Sequence, residues 1–163
     1  GWISMPKTLL IVEDDKEEQE KAKKIYEEAG FKVIVAGTYE EFQQKARQFN
    51  YFNDRSQVGK IFYNDNDPNF PDDKKTGELV DYIITDLTFP ADHFSDSEIG
   101  DFGYAVLARA TKLRIPCSIC TNTAHYGSNG KRRLIEEMTR ITRRPRYSFL
   151  KNWVIFLDDC KKI

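Results

Sequence analysis

The run Thr8-Leu9-Leu10-Ile11-Val12 passes directly into Glu13-Asp14-Asp15. A strand without a polar face must be buried on both sides, as in a parallel sheet covered by helices above and below. Similar apolar, β-branched runs recur as Phe31 to Ala36, Val80 to Asp86, Cys117 to Thr121 and Tyr147 to Lys151. Between them the spacing turns helical. Gln19, Ala22, Ile25, Tyr26 and Ala29 mark a helix over about 16–29, with Gly30 as its stop. Thr38-x-x-Glu41 is a capping box that opens a helix carrying Phe42, Ala46 and Phe49. Further helices are expected from about Phe102 to Leu113, from about Gly130 to Thr142, and, as a short last element, from Trp153 to Cys160. A polar loop with Pro90, Ser95 and Gly100 is expected between the third strand and its helix. This alternation specifies an α/β fold with a parallel sheet.

The rhythm lapses over about 50–78, a stretch rich in Asn, Asp, Pro and Gly around the apolar island Val58, Ile61, Phe62 and Tyr63. So long an unpatterned stretch is unusual inside a compact domain. It reads as an insertion, folded into a hairpin around that island. Asp65-x-Asp67-x-Asn69 there resembles the opening of a calcium loop, but Phe70 and Thr76 stand where Gly and a bidentate Glu are required, so a solvated turn is expected. The four residues before Met5 read as an expression remnant, and 5–163 as one domain with no residues left for an output domain.

Lys plus Arg total 25 against 26 Asp plus Glu, a balance that gives no reason to expect a nucleic-acid or membrane partner. No apolar run approaches the roughly 20 residues of a membrane helix. Three cysteines are too few and odd in number for a disulfide framework, which points to a reducing, cytoplasmic setting. Cys117 and Cys120 have C-x-x-C spacing but sit in an apolar strand without a second ligand pair, so buried packing is expected rather than zinc or redox chemistry.

Chemistry-bearing residues collect at strand ends. Glu13 and Asp14 end the first strand, Asp86 the third, Thr121 the fourth and Lys151 the fifth. In an open parallel sheet those carboxyl ends line one crevice, so residues far apart in the chain converge there. Crowded carboxylates repel, and Mg²⁺, a hard cation with oxygen ligands, resolves the repulsion. Asp86 beside such an ion can act as a nucleophile toward a phosphoryl donor, with Lys151 and the Thr121 hydroxyl taking phosphoryl oxygens.

Val12-Glu13-Asp14-Asp15, Thr85-Asp86-Leu87-Thr88-Phe89-Pro90, Ile115-Pro116 leading to Thr121, and Leu150-Lys151 together resemble the response-regulator receiver family. The resemblance covers nearly the whole chain from Lys7 apart from the insertion. It implies a doubly wound five-stranded sheet of flavodoxin-like order 2-1-3-4-5, with the insertion between the second helix and the third strand. It also implies that Glu13, Asp14, Asp86 and the backbone carbonyl of Thr88 hold Mg²⁺. Asp86 would then be the phospho-acceptor, served by a histidine kinase or phosphotransfer protein, and Thr121 and Lys151 would sense the phosphoryl group. Such a stand-alone receiver is no turnover enzyme: it takes the group once and loses it slowly.

Three positions and the length of the last helix depart from the family. Asn152 follows Lys151 where Pro is usual, Ser148 stands where an aromatic switch residue is common, Asn122 replaces a small residue, and the last helix is short. These departures touch output more than phosphoryl chemistry, and they leave open a phosphorylation-independent interaction module as the alternative. A phosphate-ester hydrolase using Asp86 is a third reading. The basic stretch 131–146, with Lys131, Arg132, Arg133, Arg140, Arg143, Arg144 and Arg146, is either a solvated face or a docking face for an acidic downstream protein or for nucleic acid. His93 and His125, in expected loops without partner spacing, are assigned surface or packing roles.

Overall fold

Successive residues of a strand face opposite sides of a sheet, and in β1 (Thr8–Val12) this parity divides the apolar run. Leu10 and Val12 enter one core cluster, Leu9 and Ile11 another, and all four are essentially excluded from solvent. Each such side chain contributes about 1.5–3 kcal/mol on burial, so both faces of the strand hold it in place. The computed structural model describes residues 6–45, 80–94, 96–122, 129–142, 147–148 and 150–163. The expected insertion with its Asp65-x-Asp67 pattern, His125, and Arg143, Arg144 and Arg146 lie outside the described residues.

The main sheet pairs β2 (Lys32–Ala36), β1, β3 (Tyr82–Thr85), β6 (Cys117–Cys120) and β7 (Tyr147–Ser148) in that order, all parallel. This is the expected 2-1-3-4-5 arrangement, with β6 and β7 as the fourth and fifth strands. Residues 150 and 151 of the expected span lie outside the fifth strand. Among the described residues it pairs as Ile119 with Tyr147 and Cys120 with Ser148.

Helix α1 (Lys16–Glu28) starts on Asp15, whose side chain accepts from the amides of Glu17 at 2.9 Å and Glu18 at 3.4 Å. It ends before Gly30, whose φ of 95° lies in the left-handed region that favours glycine. Helix α2, described over residues 39–45, carries the expected capping box: the Glu41 amide donates to Thr38 Oγ1 at 3.1 Å. Its return bond comes from Gly37 N, at 3.2 Å from the Glu41 carboxylate. Helices α3 (Gly103–Leu113) and α4 (Asn129–Thr142) follow β3 and β6.

Phe42, Val106, Leu107, Ala110 and Ile135 bring α2, α3 and α4 onto the face of Leu10 and Val12. Ala22 and Tyr26 bring α1 onto the other, joined by Trp153, Phe156 and Cys160. These last three show that the short final helix is composite, a 3₁₀ turn over Trp153–Phe156 followed by α5 (Leu157–Lys161). The polar loop after β3 is also more ordered than expected. Phe89–Pro90 (β4) and Ile99–Gly100 (β5) pair as an antiparallel ribbon.

Candidate functional site

Backbone pairing continues past the strand ends and fixes the carboxylates. The Glu13 amide donates to Ala36 O at 2.9 Å, and the Asp86 amide donates to Val12 O at 2.7 Å. Glu13 and Asp86 are buried side by side at the ends of β1 and β3, while Asp14 is exposed. Carboxylate oxygens of all three lie within 4.8 Å of one another. The Leu87 amide donates to Asp86 Oδ1 at 2.7 Å, and the Asp15 amide to Glu13 Oε1 at 3.1 Å.

Lys151 reaches this cluster from the far side. Its ammonium lies 2.8 Å from Asp86 Oδ2 and hydrogen-bonds Glu13 Oε2. Burial opposes the lysine's charge, but Asp86 and Glu13 outweigh it and lift its pKa above the usual value. One ammonium is not enough for three acids. Burial, then the charge of Asp86, push Glu13 up to about 8 despite Lys151. Burial, with a smaller push from Asp86, also raises Asp14. Three carboxylates against one ammonium leave two formal negative charges uncompensated, the charge of one divalent cation. Oxygen-only donors, two backed by backbone amides, suit Mg²⁺. Glu13, Asp14 and Asp86 are therefore the residues that would hold it.

The structure treats the other expected site residues unequally. Thr121 is buried directly after β6, and its amide donates to Ser148 O at 2.9 Å, which extends the β6–β7 pairing by one rung. Thr88 is half-buried, and its hydroxyl donates to Asp101 Oδ1 at 2.8 Å, closing the base of the β4–β5 ribbon. His93 stands at the ribbon tip, 2.8 Å from Glu41, on the rim of an open groove of about 540 Å³ that Asp14 also lines. Exposed Phe94 and Ile99 flank that groove.

Cys117 and Cys120 belong to the two opposite core clusters, because an odd separation along a strand reverses the face. Both are free, and burial pushes Cys120 up to about 12 and Cys117 higher. In α4, Arg133 and Arg140 are exposed and Arg140 pairs with Glu137.

Two residues that matter to the site were missed in the sequence. A Cβ on Gly103 would fall 2.4 Å from Asp86 O and 2.6 Å from Leu87 Cα, so only glycine lets α3 start against the Asp86 backbone. Its signal was a single glycine opening a helical pattern. Trp153 lies with its ring 5.6 Å from the Lys151 ammonium, and an aromatic two residues after a site lysine was the available clue.

No protein-family model matches the chain, and no curated protein matches it. Solved structures do. A CheY-like response regulator receiver domain protein from Methanospirillum hungatei JF-1 superposes with a TM-score of 0.59 at 21% identity, covering 97% of this chain and 93% of its own. Chemotaxis protein CheY4 of Vibrio cholerae gives 0.54 at 13% identity over 98% and 99%. The HemR receiver domain of Leptospira biflexa gives 0.52 at 16% identity over 96% and 95%. This is the receiver-domain fold. Within the receiver fold, the strand-end crevice is the place where this chain gathers its buried acids and its lysine. Among the described residues, no helix is long and apolar enough to cross a membrane.

Proposed function

We propose that the chain is a phosphorylation-dependent signalling receiver whose acceptor is Asp86. The observation that carries this reading is the state of the Asp86 carboxylate: buried, held by the Leu87 amide on one oxygen and by Lys151 on the other, with Glu13 and Asp14 beside it. In the transfer, a carboxylate oxygen of Asp86 attacks phosphorus of a phosphohistidine on a kinase or phosphotransfer protein. A P–O bond forms, the P–N bond breaks, and the imidazole leaves with the electron pair and is protonated. Glu13, Asp14, Asp86 and the Thr88 carbonyl would hold Mg²⁺, which when bound would supply neutralising charge for the phosphoryl oxygens. Lys151 and the Thr121 hydroxyl then bind the transferred group, and this biases a two-state surface read by a downstream protein. The reaction is a single transfer followed by slow self-hydrolysis, without turnover. The free, buried thiols support a reducing compartment such as the cytoplasm.

The test is incubation with Mg²⁺ and acetyl phosphate or beryllofluoride, read by intact mass and thermal shift, with Asp86→Asn in parallel. A Mg²⁺-dependent adduct or stabilisation that Asp86→Asn removes is the expected result. A folded protein that shows neither refutes the reading. The phosphorylation-independent interaction module would then stand. One observation favours that second reading: the Ser148 hydroxyl is engaged with the Leu150 backbone, so no aromatic side chain is present there to switch.

A further inference from the structure

Lys151 sits between a two-residue strand and a 3₁₀ turn, a weak frame for a residue whose ammonium must be aimed. A lysine stem also carries large rotamer entropy, so its aim has to come from what it packs on. Here that surface is Trp153. Its ring lies 5.6 Å from the ammonium, close enough for attraction to the π face. Trp153 is itself fixed twice to α1. The indole Nε1–H donates to Glu18 Oε2 at 2.8 Å, and the Tyr26 hydroxyl donates to the Trp153 carbonyl. Glu18 and Tyr26 are two helical turns apart, so the clamp resists tilting as well as sliding. The tryptophan is only 2% exposed and packs among Leu9, Ile11, Tyr26 and Phe156. Glu18 keeps its other oxygen for Lys21, at 3.3 Å.

We infer that Trp153 and Glu18 are positioning residues: Glu18 orients the indole, and the indole holds the Lys151 ammonium over Asp86. The inference rests on the receiver reading and adds to it a scaffold that reaches the acceptor from α1. A buried indole N–H needs an acceptor in any role; here the acceptor, Glu18, also sets which part of the ring the Lys151 ammonium meets.

The experiment uses the full chain, ¹⁵N-labelled, with acetyl phosphate and Mg²⁺ as phosphodonor mixture and beryllofluoride with Mg²⁺ as the static probe. Trp153→Phe identifies the Trp153 indole resonance against that of Trp2. Glu18→Leu is expected to slow adduct formation about tenfold, the order expected when a catalytic group is misplaced by a fraction of an ångström. Glu18→Gln, whose amide oxygen still accepts the indole bond, restores most of the rate. Beryllofluoride shifts the Trp153 indole peak, and Lys151→Gln removes that response. A wild-type rate in folded Glu18→Leu overturns the inference, as does an indole peak that stays put while the Asp86 amide moves. If the wild-type chain forms no adduct and its Asp86 amide does not respond, the receiver reading fails. The platform is then judged without Mg²⁺: an indole shift between wild type and Lys151→Gln supports it, and no shift overturns it.

Discussion

The acidic and basic halves of the crevice are built differently. Glu13 and Asp86 follow β1 and β3, strands that pair on both sides and are buried on both faces. Their amides continue the sheet's own pairing, so the sheet places the carboxylates. Lys151 follows β7, an edge strand of two residues, and its place comes from side chains: Trp153 beneath it, and Glu18 and Tyr26 behind the tryptophan. A strand-end crevice can therefore take one charge from backbone architecture and the opposing charge from a side-chain scaffold. The two halves should fail in different ways.

The largest effect is expected on the basic half. Trp153→Ala empties the centre of the second core cluster and should cost about 3–5 kcal/mol in urea unfolding, the range for buried aromatic truncations. Gly103→Ala attacks the acidic half through the backbone. The atoms its Cβ would meet belong to Asp86 and Leu87, so a loss of about 1–3 kcal/mol is expected from overpacking, with weaker Mg²⁺ binding by calorimetry. If Gly103→Ala instead leaves Mg²⁺ affinity intact, backbone placement of Asp86 is less strict than argued.

Asp15→Ala removes the cap of α1, the helix that carries Glu18 and Tyr26. A loss of about 0.5–2 kcal/mol is expected from thermal unfolding. Smallest of all, Leu150→Ser changes a side chain 66% exposed beside Lys151, and denaturant titration should register no more than about 0.5 kcal/mol. A larger loss there would mean that the basic half relies on local chain contacts, not on the tryptophan.

The same contrast explains what the sequence made legible. β1 and β3 are largely apolar runs ending in acids, so strand, burial and carboxylate position were readable together, while the sheet order came from the family resemblance. The end of β7 was not readable, because Tyr147 to Lys151 has strand-like composition while residues 150 and 151 lie outside the strand. The β4–β5 ribbon escaped because its pairing is brief and its tip, with Asp92, His93 and Ser97, has the polarity of a loop. Its order comes from outside the segment: Phe102 stacks on Tyr39 at 5.0 Å, and the Glu40 amide donates to Ala91 O at 2.9 Å. Trp153 was placed only at the start of the last helix, and its indole bond to Glu18 joins residues 135 apart in sequence and has no local pattern.

The edge position of β7 also has a consequence in time. Its described register pairs lie at the end of the sheet's strand order, and such an edge opens without the rest of the sheet, at a small fraction of the global free energy. The amides of Ile83 to Thr85, locked between two neighbours, should exchange with solvent only when the whole domain unfolds. The Thr121 amide, bonded to Ser148, should exchange through the shorter-lived opening of the edge. Hydrogen exchange would then find two clocks within one crevice: a slow one under Asp86, and a fast one under Thr121.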